Sequence, residues 1–518
     1  MNLGLIPAKW AALTPRAEAF IDASTGARVT FADFDRSVRQ LANGLLRLGL
    51  VRQDRVAVLS RNSIEYAMTY YACARVGLVV QPLNWRLAEA ELRTLITHAE
   101  PRVLIVHEEF SDVAAALAAT TDSVETWLNY GDSSDGTLQN LIESSSDDEP
   151  ELSSHVGGED PAFILYTGGT TGESKGALHS HRSAAAGMLN QTVVERIQPT
   201  DVYMLTGQMF HIPIVLSMNY TAHGRPNVLM NFEPKLALQL IESERVSGFL
   251  GVTTMLSWML AVEGFDRYDL TSLRNLMYGG GPMPTTVIRE VVERFPCVPF
   301  QGYGQTEGTT MTFLSPADHL AGISGEHSER LRSCGREGFV TSLRVVDDDM
   351  RPVPTDGVTA GQIAVRSDAN MIGYFRRPDL TSQTIRNGWM LTGDIATWDD
   401  DRYVTIVDRA KDMIISGGEN IYSAQVEEAI GKHPAILEAV VIGVPDPVWG
   451  ESVKAFVVLK PGMEASENDI IDTAKLHLAS YQKPRSVEFL TELPKAATGK
   501  ILKRELRRPY WTDTERNV

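Results

Sequence analysis

The chain has 518 residues, 43% hydrophobic and 22% charged, an ordinary globular composition long enough for three or four domains or subdomains at roughly 150 residues each. Its net charge of −18, from 66 acids against 48 Lys and Arg, repels phosphate backbones and excludes nucleic acid as a general partner, though not a small anion in a local basic pocket. Three widely spaced cysteines (Cys73, Cys297, Cys334) with no CxxC exclude a disulfide framework or structural zinc site and fit a reducing cytoplasm.

At the N-terminus no basic stretch precedes an apolar core, so no secretory signal is expected. No apolar run approaches the ~18 residues of a membrane span. Thr30-Phe-Ala-Asp33 reads as a capping box, followed at helical spacing by Phe34, Val38, Leu41, Leu45 and Leu48, with Gly49 near the end. Arg55–Leu59 reads as a buried strand, Ile64–Val76 as a helix and Leu78–Pro82 as a strand. A helix around Ala88–His98 and a strand at Arg102–Val106 follow. Such alternation implies a parallel sheet covered on both faces. Residues 111–158 turn into a solvated acidic connection, with Glu143-Ser-Ser-Ser-Asp-Asp-Glu-Pro150 at its heart.

A second alternating series begins at Pro161–Thr167 and runs through helices near Pro234–Glu244 and Thr285–Phe295 to a strand before Gly302. From Gly335 to Val407 the pattern is short strands and turns, including Leu343–Val346, Gly361–Arg366 and Tyr403–Val407. A smaller α+β unit follows Asp412. It has helices near Ala424–Gly431 and Glu467–Ser480 and strands at Glu438–Gly443, Val453–Leu459 and Val487–Leu490. Asp408–Asp412 is the junction, and no internal repeat occurs.

The chemistry concentrates first at Tyr166–Gly176, YTGGTTGESKG. A strand enters a loop of glycines, hydroxyls and one lysine. Glycines let backbone N–H groups approach an anion, and Lys175 adds a compact positive charge. The loop suits a polyphosphate, with a plain Gly/Thr turn as the alternative. It is not a Walker A loop, because Ser174 precedes Lys175 and Gly176 follows it.

The loop resembles the phosphate-binding signature of the acyl-adenylate-forming enzymes: acyl- and aryl-CoA synthetases, luciferases and nonribosomal peptide adenylation domains. That signature usually reads Thr-Ser-Gly-Thr-Thr-Gly-x-Pro-Lys-Gly. Gly168 stands where Ser is usual and Ser174 where Pro is usual. Six further matches follow in the family's order: Phe210-His211-Ile212, Tyr278-Gly-Gly-Gly-Pro-Met-Pro284, Gly302-Tyr-Gly-Gln-Thr-Glu307, Leu391-Thr-Gly-Asp394, the stretch from Asp408 to Asn420, and Pro494–Lys500. The resemblance extends from about residue 30 to about residue 508.

Periodicity and resemblance together imply an α/β fold. A large N-terminal adenylation domain, residues 1–410, holds two parallel-type α/β subdomains plus a small β-barrel-like subdomain. A smaller mobile α+β C-terminal domain, 411–518, swings on a hinge at Lys411. The resemblance implies ATP, Mg²⁺ and CoA. For ATP it points to Thr167, Gly168, Gly169, Thr170, Thr171, Lys175, Gly280, Gly281, Gln301, Gly302, Tyr303, Asp394 (ribose) and Arg409. Thr306 would donate to a phosphate and Glu307 would hold the metal. Lys500 would stabilise the charge that builds as carboxylate meets phosphate.

For CoA the resemblance points to Gly417 and Gly418 on a narrow pantetheine passage, Trp449 and Tyr481 against adenine, and Lys483 at the 3′-phosphate. His211, Ile212, Met255, Gly281 and Met311 would line the acyl pocket, with no basic residue besides His211 standing out. A hydrophobic monocarboxylic acid, fatty or aryl/alicyclic, is therefore implied. The leading reading is an acid:CoA ligase. Its rivals are an amide ligase, a luciferase-like oxygenase and a silent homologue. A homodimer is expected by analogy alone.

Overall fold

The computed structural model describes residues 1–131, 136–167, 174–281, 283–417, 419–495 and 501–511. The chain divides into two compact units. Met1–Thr167, Ser174–Leu343 and Val365–Met390 form the first; Arg344–Ala364 and the residues from Leu391 onward belong to the second.

The first unit carries two large sheets. One has seven strands in the order Gly373–Tyr374, Lys175–Ser180, Pro161–Thr167, Val79–Pro82, Arg55–Leu59, Val103–His107, Thr126–Tyr130. Its strands are parallel except for Lys175–Ser180 and Gly373–Tyr374, which run antiparallel to their neighbours. The other has nine: Arg336–Glu337, Thr309–Leu314, Phe300–Gln305, Asn275–Gly279, Gly248–Leu250, Tyr203–Leu205, Asn227–Leu229, Glu18–Asp22, Arg28–Thr30. Its middle is parallel and both ends are antiparallel.

Alternation within Arg55–Leu59 explains its continuous apolar run. Val56 and Val58 enter the core that side chains of both sheets share with helices Phe31–Arg47 and Ile64–Val76, while Ala57 and Leu59 enter a second core on the opposite face. The helix at Phe31–Arg47 starts as expected at Thr30, whose hydroxyl accepts the Asp33 N–H at 3.2 Å. The return half of the capping box differs. The Asp33 carboxylate takes the Thr30 hydroxyl at 2.7 Å and Arg36 at 2.8 Å instead of the Thr30 backbone.

In the second unit, Asp394–Trp398 pairs antiparallel with Val404–Arg409. Beyond it lies a sheet in the order Glu419–Ile421, Ile414–Ser416, Gly450–Leu459, Ile436–Asp446, with Ser486–Phe489 parallel to Gly450–Leu459. Helices Ser423–Ile430 and Glu467–Lys475 belong to the same α+β unit. The latter stops short of the expected Ser480, because Gln482 Oε1 captures the Ala479 N–H at 3.1 Å in a turn before Pro484.

One buried acid in the first unit has a thermodynamic consequence. Glu195 closes helix His181–Glu195, and its buried carboxyl accepts a long hydrogen bond from Asn219 Nδ2, at 3.4 Å. Burial first, then the Asp201 charge, pushes its pKa up to about 8. Between the ordinary carboxyl pKa and 8 the unfolded chain is ionised while the folded one holds the proton. Stability therefore falls as pH rises through that window, by at most about 1.4 kcal/mol per pH unit from this group. Glu195→Gln removes that slope. Its melting temperature is expected to exceed wild type by a margin that grows from pH 5 to pH 8 and is flat above; a pH-independent margin would count against the buried neutral acid.

Candidate active site

The loop at residues 168–173 joins two antiparallel strands, Pro161–Thr167 and Lys175–Ser180, with Thr167 opposite Lys175. A strand leaves the loop where a Walker A loop would start a helix, which bears out the exclusion read from Ser174 and Gly176. The Thr167 hydroxyl donates to the Lys175 carbonyl at 3.4 Å, so the two residues close the mouth of the hairpin. Gly176 is needed for close packing, since a Cβ there would come within 2.7 Å of Ile164. Gly168, Gly169, Thr170 and Thr171 lie outside the described residues.

Register carries the lysine to its neighbours. Gly373–Tyr374 pairs with the return strand, Tyr374 opposite Ala177, two residues beyond Lys175. Residues two apart share a face, so the phenol ring lies beside the lysine, with the Lys175 ammonium 5.3 Å from its centroid. The Tyr374 hydroxyl donates to Glu307 Oε1 at 2.8 Å. The Met371 N–H donates to the Glu307 carbonyl at 2.7 Å, and His179 Nε2, from the same return strand, donates to the Thr306 carbonyl at 2.7 Å. Burial pushes His179 down to about 4, so it is neutral, and the carbonyl fixes its proton on Nε2 while Nδ1 faces the Ser183 hydroxyl. The Thr306-Glu307 pair is thus held onto the strand that carries Lys175.

This arrangement defines what a metal would meet. Among the described residues no three His, Cys, Asp or Glu side chains gather, and Glu307 Oε2 accepts no hydrogen bond. One hard carboxylate beside a lysine suits a small divalent cation that completes its shell with phosphate oxygens and water; it does not suit a zinc site built by the protein alone.

Two glycines of the adenine-side motifs, Gly279 and Gly302, lie at close approaches. Gly279 and Gly302 face each other on paired strands, and a Cβ on Gly279 would stand 2.3 Å from the Gly302 carbonyl. Gly280 has φ +79°, while a Cβ on Gly281 would meet nothing within 4 Å. Gln301, Gly302 and Tyr303 lie on the Phe300–Gln305 strand, which bulges between Tyr303 and Gly304.

His211 and Ile212 precede helix Pro213–Ala222, and the Phe210 and His211 rings meet edge-on at 4.6 Å. Asn62 holds the loop before them, donating to the carbonyls of Gly207 and Met230 and accepting the Met209 N–H at 2.9 Å. His211 is pushed down to about 4, by burial and by the charge of Arg86. Arg86, a basic residue whose charge acts on His211, is not among the residues read from the sequence as lining the pocket. Its guanidinium lies 4.5 Å over Trp85, whose other cationic neighbour is Arg61. Met255 lies on helix Thr253–Leu260 and Met311 is fully buried on strand Thr309–Leu314.

In the second unit, Asp394 and Arg409 are cross-strand partners, with Arg409 Nε 3.0 Å from the buried Asp394 carboxylate. One residue earlier, Asp408 accepts from the Ser423 N–H and from its hydroxyl. Lys411 follows in the turn, with Asp412 paired to Arg507 at 2.8 Å. Gly417 and Trp449, expected to share the CoA site, are in contact. The Gly417 N–H donates to the Trp449 carbonyl at 2.7 Å, φ is +62°, and a Cβ would stand 2.6 Å from the indole. Trp449 and Tyr481 are exposed, and the Arg485 guanidinium, which the sequence reading missed, stacks 5.3 Å from the Trp449 ring. Lys483 is half-buried two residues away. Gly418 and Lys500 lie outside the described residues.

Residues 7–375 match the family model of AMP-binding enzymes, and residues 425–500 match that of the AMP-binding enzyme C-terminal domain. The chain belongs to the acyl-adenylate-forming enzymes. Within this superfamily it groups with the AMP-forming acyl-CoA synthetases. A feruloyl-CoA synthase of Amycolatopsis sp is 35% identical over 98% of this chain and 99% of its own. A fatty acyl CoA synthetase structure from Mycobacterium tuberculosis superposes with TM-score 0.81 at 32% identity, covering 99% of this chain and 98% of that one. The amide bond synthetase McbA from Marinactinospora thermotolerans superposes with TM-score 0.86 at 28% identity, covering 98% and 100%. No described helix of this adenylate-forming enzyme is long and apolar enough to cross a membrane.

Proposed function

We propose that the chain joins a hydrophobic monocarboxylic acid to CoA in two steps at the expense of ATP. The observation that carries the proposal is that Glu307 and Lys175 share one neighbour: the Tyr374 hydroxyl donates to the Glu307 carboxylate and the Tyr374 ring meets the Lys175 ammonium, which brings a carboxylate and an ammonium to one site. In the first step a substrate carboxylate oxygen attacks the α-phosphorus. The new P–O bond forms as the α–β bridging bond breaks, and pyrophosphate leaves. Lys175, the glycine-rich hairpin and Thr306 bind the phosphates, and Glu307 would hold Mg²⁺, which would supply positive charge against the phosphates. Asp394, with Arg409 beside it, accepts the ribose hydroxyls, and Lys500 stabilises the charge developing between the two anions.

In the second step the small domain turns at Lys411, and the CoA thiol reaches the acyl carbon past Gly417 and Gly418, displacing AMP. Trp449, Tyr481 and Lys483 receive the CoA nucleotide. Three cysteines outside any disulfide support a reducing cytoplasm as its setting, and analogy supports a homodimer.

The likeness to an amide bond synthetase gives the amide ligase a specific claim as second reading. Pyrophosphate release with a panel of cinnamic, benzoic and fatty acids, with CoA or with amines, separates the two. CoA-dependent turnover to a thioester is expected; release stimulated by an amine, with an amide product and no response to CoA, would replace the lead.

A further inference from the structure

Tyr374 stands outside every motif that suggested the function. It lies on a strand of two residues at the edge of the seven-stranded sheet, fixed by the Tyr374 N–H donating to the Thr381 hydroxyl at 2.9 Å. Gly373 makes this fit, since a Cβ there would come 2.7 Å from Thr381. The phenol is buried and touches two residues of opposite charge. Its hydroxyl donates to Glu307 Oε1 at 2.8 Å, and its ring face receives the Lys175 ammonium at 5.3 Å.

The segment that carries Tyr374 grips Glu307 twice, at the backbone through Met371 and at the side chain through the phenol. Among the described residues, Lys175 makes no ion pair with a carboxylate. A lysine and a carboxylate that both touch one side chain attract each other. A direct pair would occupy both the phosphate-binding charge and the metal-binding oxygen.

We propose that Tyr374 is a positioning residue that keeps Glu307 and Lys175 apart and holds the Glu307 carboxylate turned for a divalent cation. The inference rests on the reading of Glu307 as the metal carboxylate. Hydrogen bonds to a ligating carboxylate fix its orientation, and losing such a partner costs about 10- to 100-fold in metal affinity. Tyr374→Phe keeps the ring against Lys175 and removes only the donor to Glu307. Tyr374→Leu removes both.

The test is a titration of Mn²⁺ into the full-length protein with a non-hydrolysable ATP analogue and no acid substrate, following free Mn²⁺ by electron paramagnetic resonance. Melting temperature is measured alongside. Tyr374→Phe is expected to raise the half-saturating Mn²⁺ concentration about tenfold with metal-free nucleotide binding unchanged. Tyr374→Leu weakens both, because Lys175 is then neutralised by Glu307. In a Glu307→Gln background, Tyr374→Phe adds nothing further. An unchanged titration in Tyr374→Phe, or an equal effect in the Glu307→Gln background, overturns the role of Tyr374. An unchanged titration in Glu307→Gln alone would instead remove the metal reading on which it rests. Should the Phe variant not fold, the Leu variant is read by the same titration.

Discussion

Lys500→Ala is expected to slow acyl-adenylate formation about 10³-fold while leaving thioester formation from supplied acyl-adenylate within about threefold of wild type. Both reactants of the first step are anions, and the charge they bring together is largest at the α-phosphorus. An ammonium delivered there acts only while that charge develops, so its loss falls on kcat of adenylation. The second step places a thiol against an already activated carbonyl and has no such demand. The described basic residues nearby have structural partners: Lys495 pairs with Glu438 at 2.5 Å, Lys503 with Glu427 at 2.8 Å and Arg507 with Asp412 at 2.8 Å. Their removal is expected to affect the small domain's stability rather than one half-reaction. Lys495 and Ile501 form an antiparallel bridge. Equal loss of both half-reactions would contradict the role given to Lys500.

Gly417→Ala is expected to do the reverse: adenylation stays near wild type and thioester formation falls by at least tenfold. The backbone at Gly417 has φ +62°, where a Cβ costs roughly 1–2 kcal/mol. That Cβ would also stand 2.6 Å from the Trp449 indole and displace it or the turn. Trp449 is the proposed adenine platform, so the substitution disturbs two parts of the CoA path at once. Single-turnover measurement of each half-reaction checks this. An adenylation defect as large as the thioester defect would mean that Gly417 supports the small domain as a whole.

The two substitutions bracket what the sequence made legible. The hairpin around Lys175, the Asp394 turn and the Gly417 turn are local, and each motif contains the residues that shape it. The 17-residue amphipathic helix Phe31–Arg47 also showed its period directly, and Arg55–Leu59 showed as a short apolar run. Tyr374 and His179 were not legible. They reach Glu307 and Thr306 across 67 and 127 residues, through the register of a sheet edge that no local pattern encodes. A two-residue strand such as Gly373–Tyr374 is too short to show a period of two. The same limit hid the order of the nine-stranded sheet, whose members Tyr203–Leu205, Asn227–Leu229 and Gly248–Leu250 have three residues each. Arg86 escaped notice because its nearness to His211 depends on tertiary packing between segments 125 positions apart in a chain whose intervening pattern points elsewhere.

The central claim is that a carboxylate oxygen of the substrate becomes bonded to the α-phosphorus of ATP before the acyl group moves on. An acid substrate labelled with ¹⁸O in its carboxyl group, turned over with ATP, Mg²⁺ and CoA, tests this directly by mass spectrometry of the products. One ¹⁸O per turnover is expected in AMP and none in pyrophosphate. Label in orthophosphate or pyrophosphate, or unlabelled AMP, would contradict an acyl-adenylate pathway.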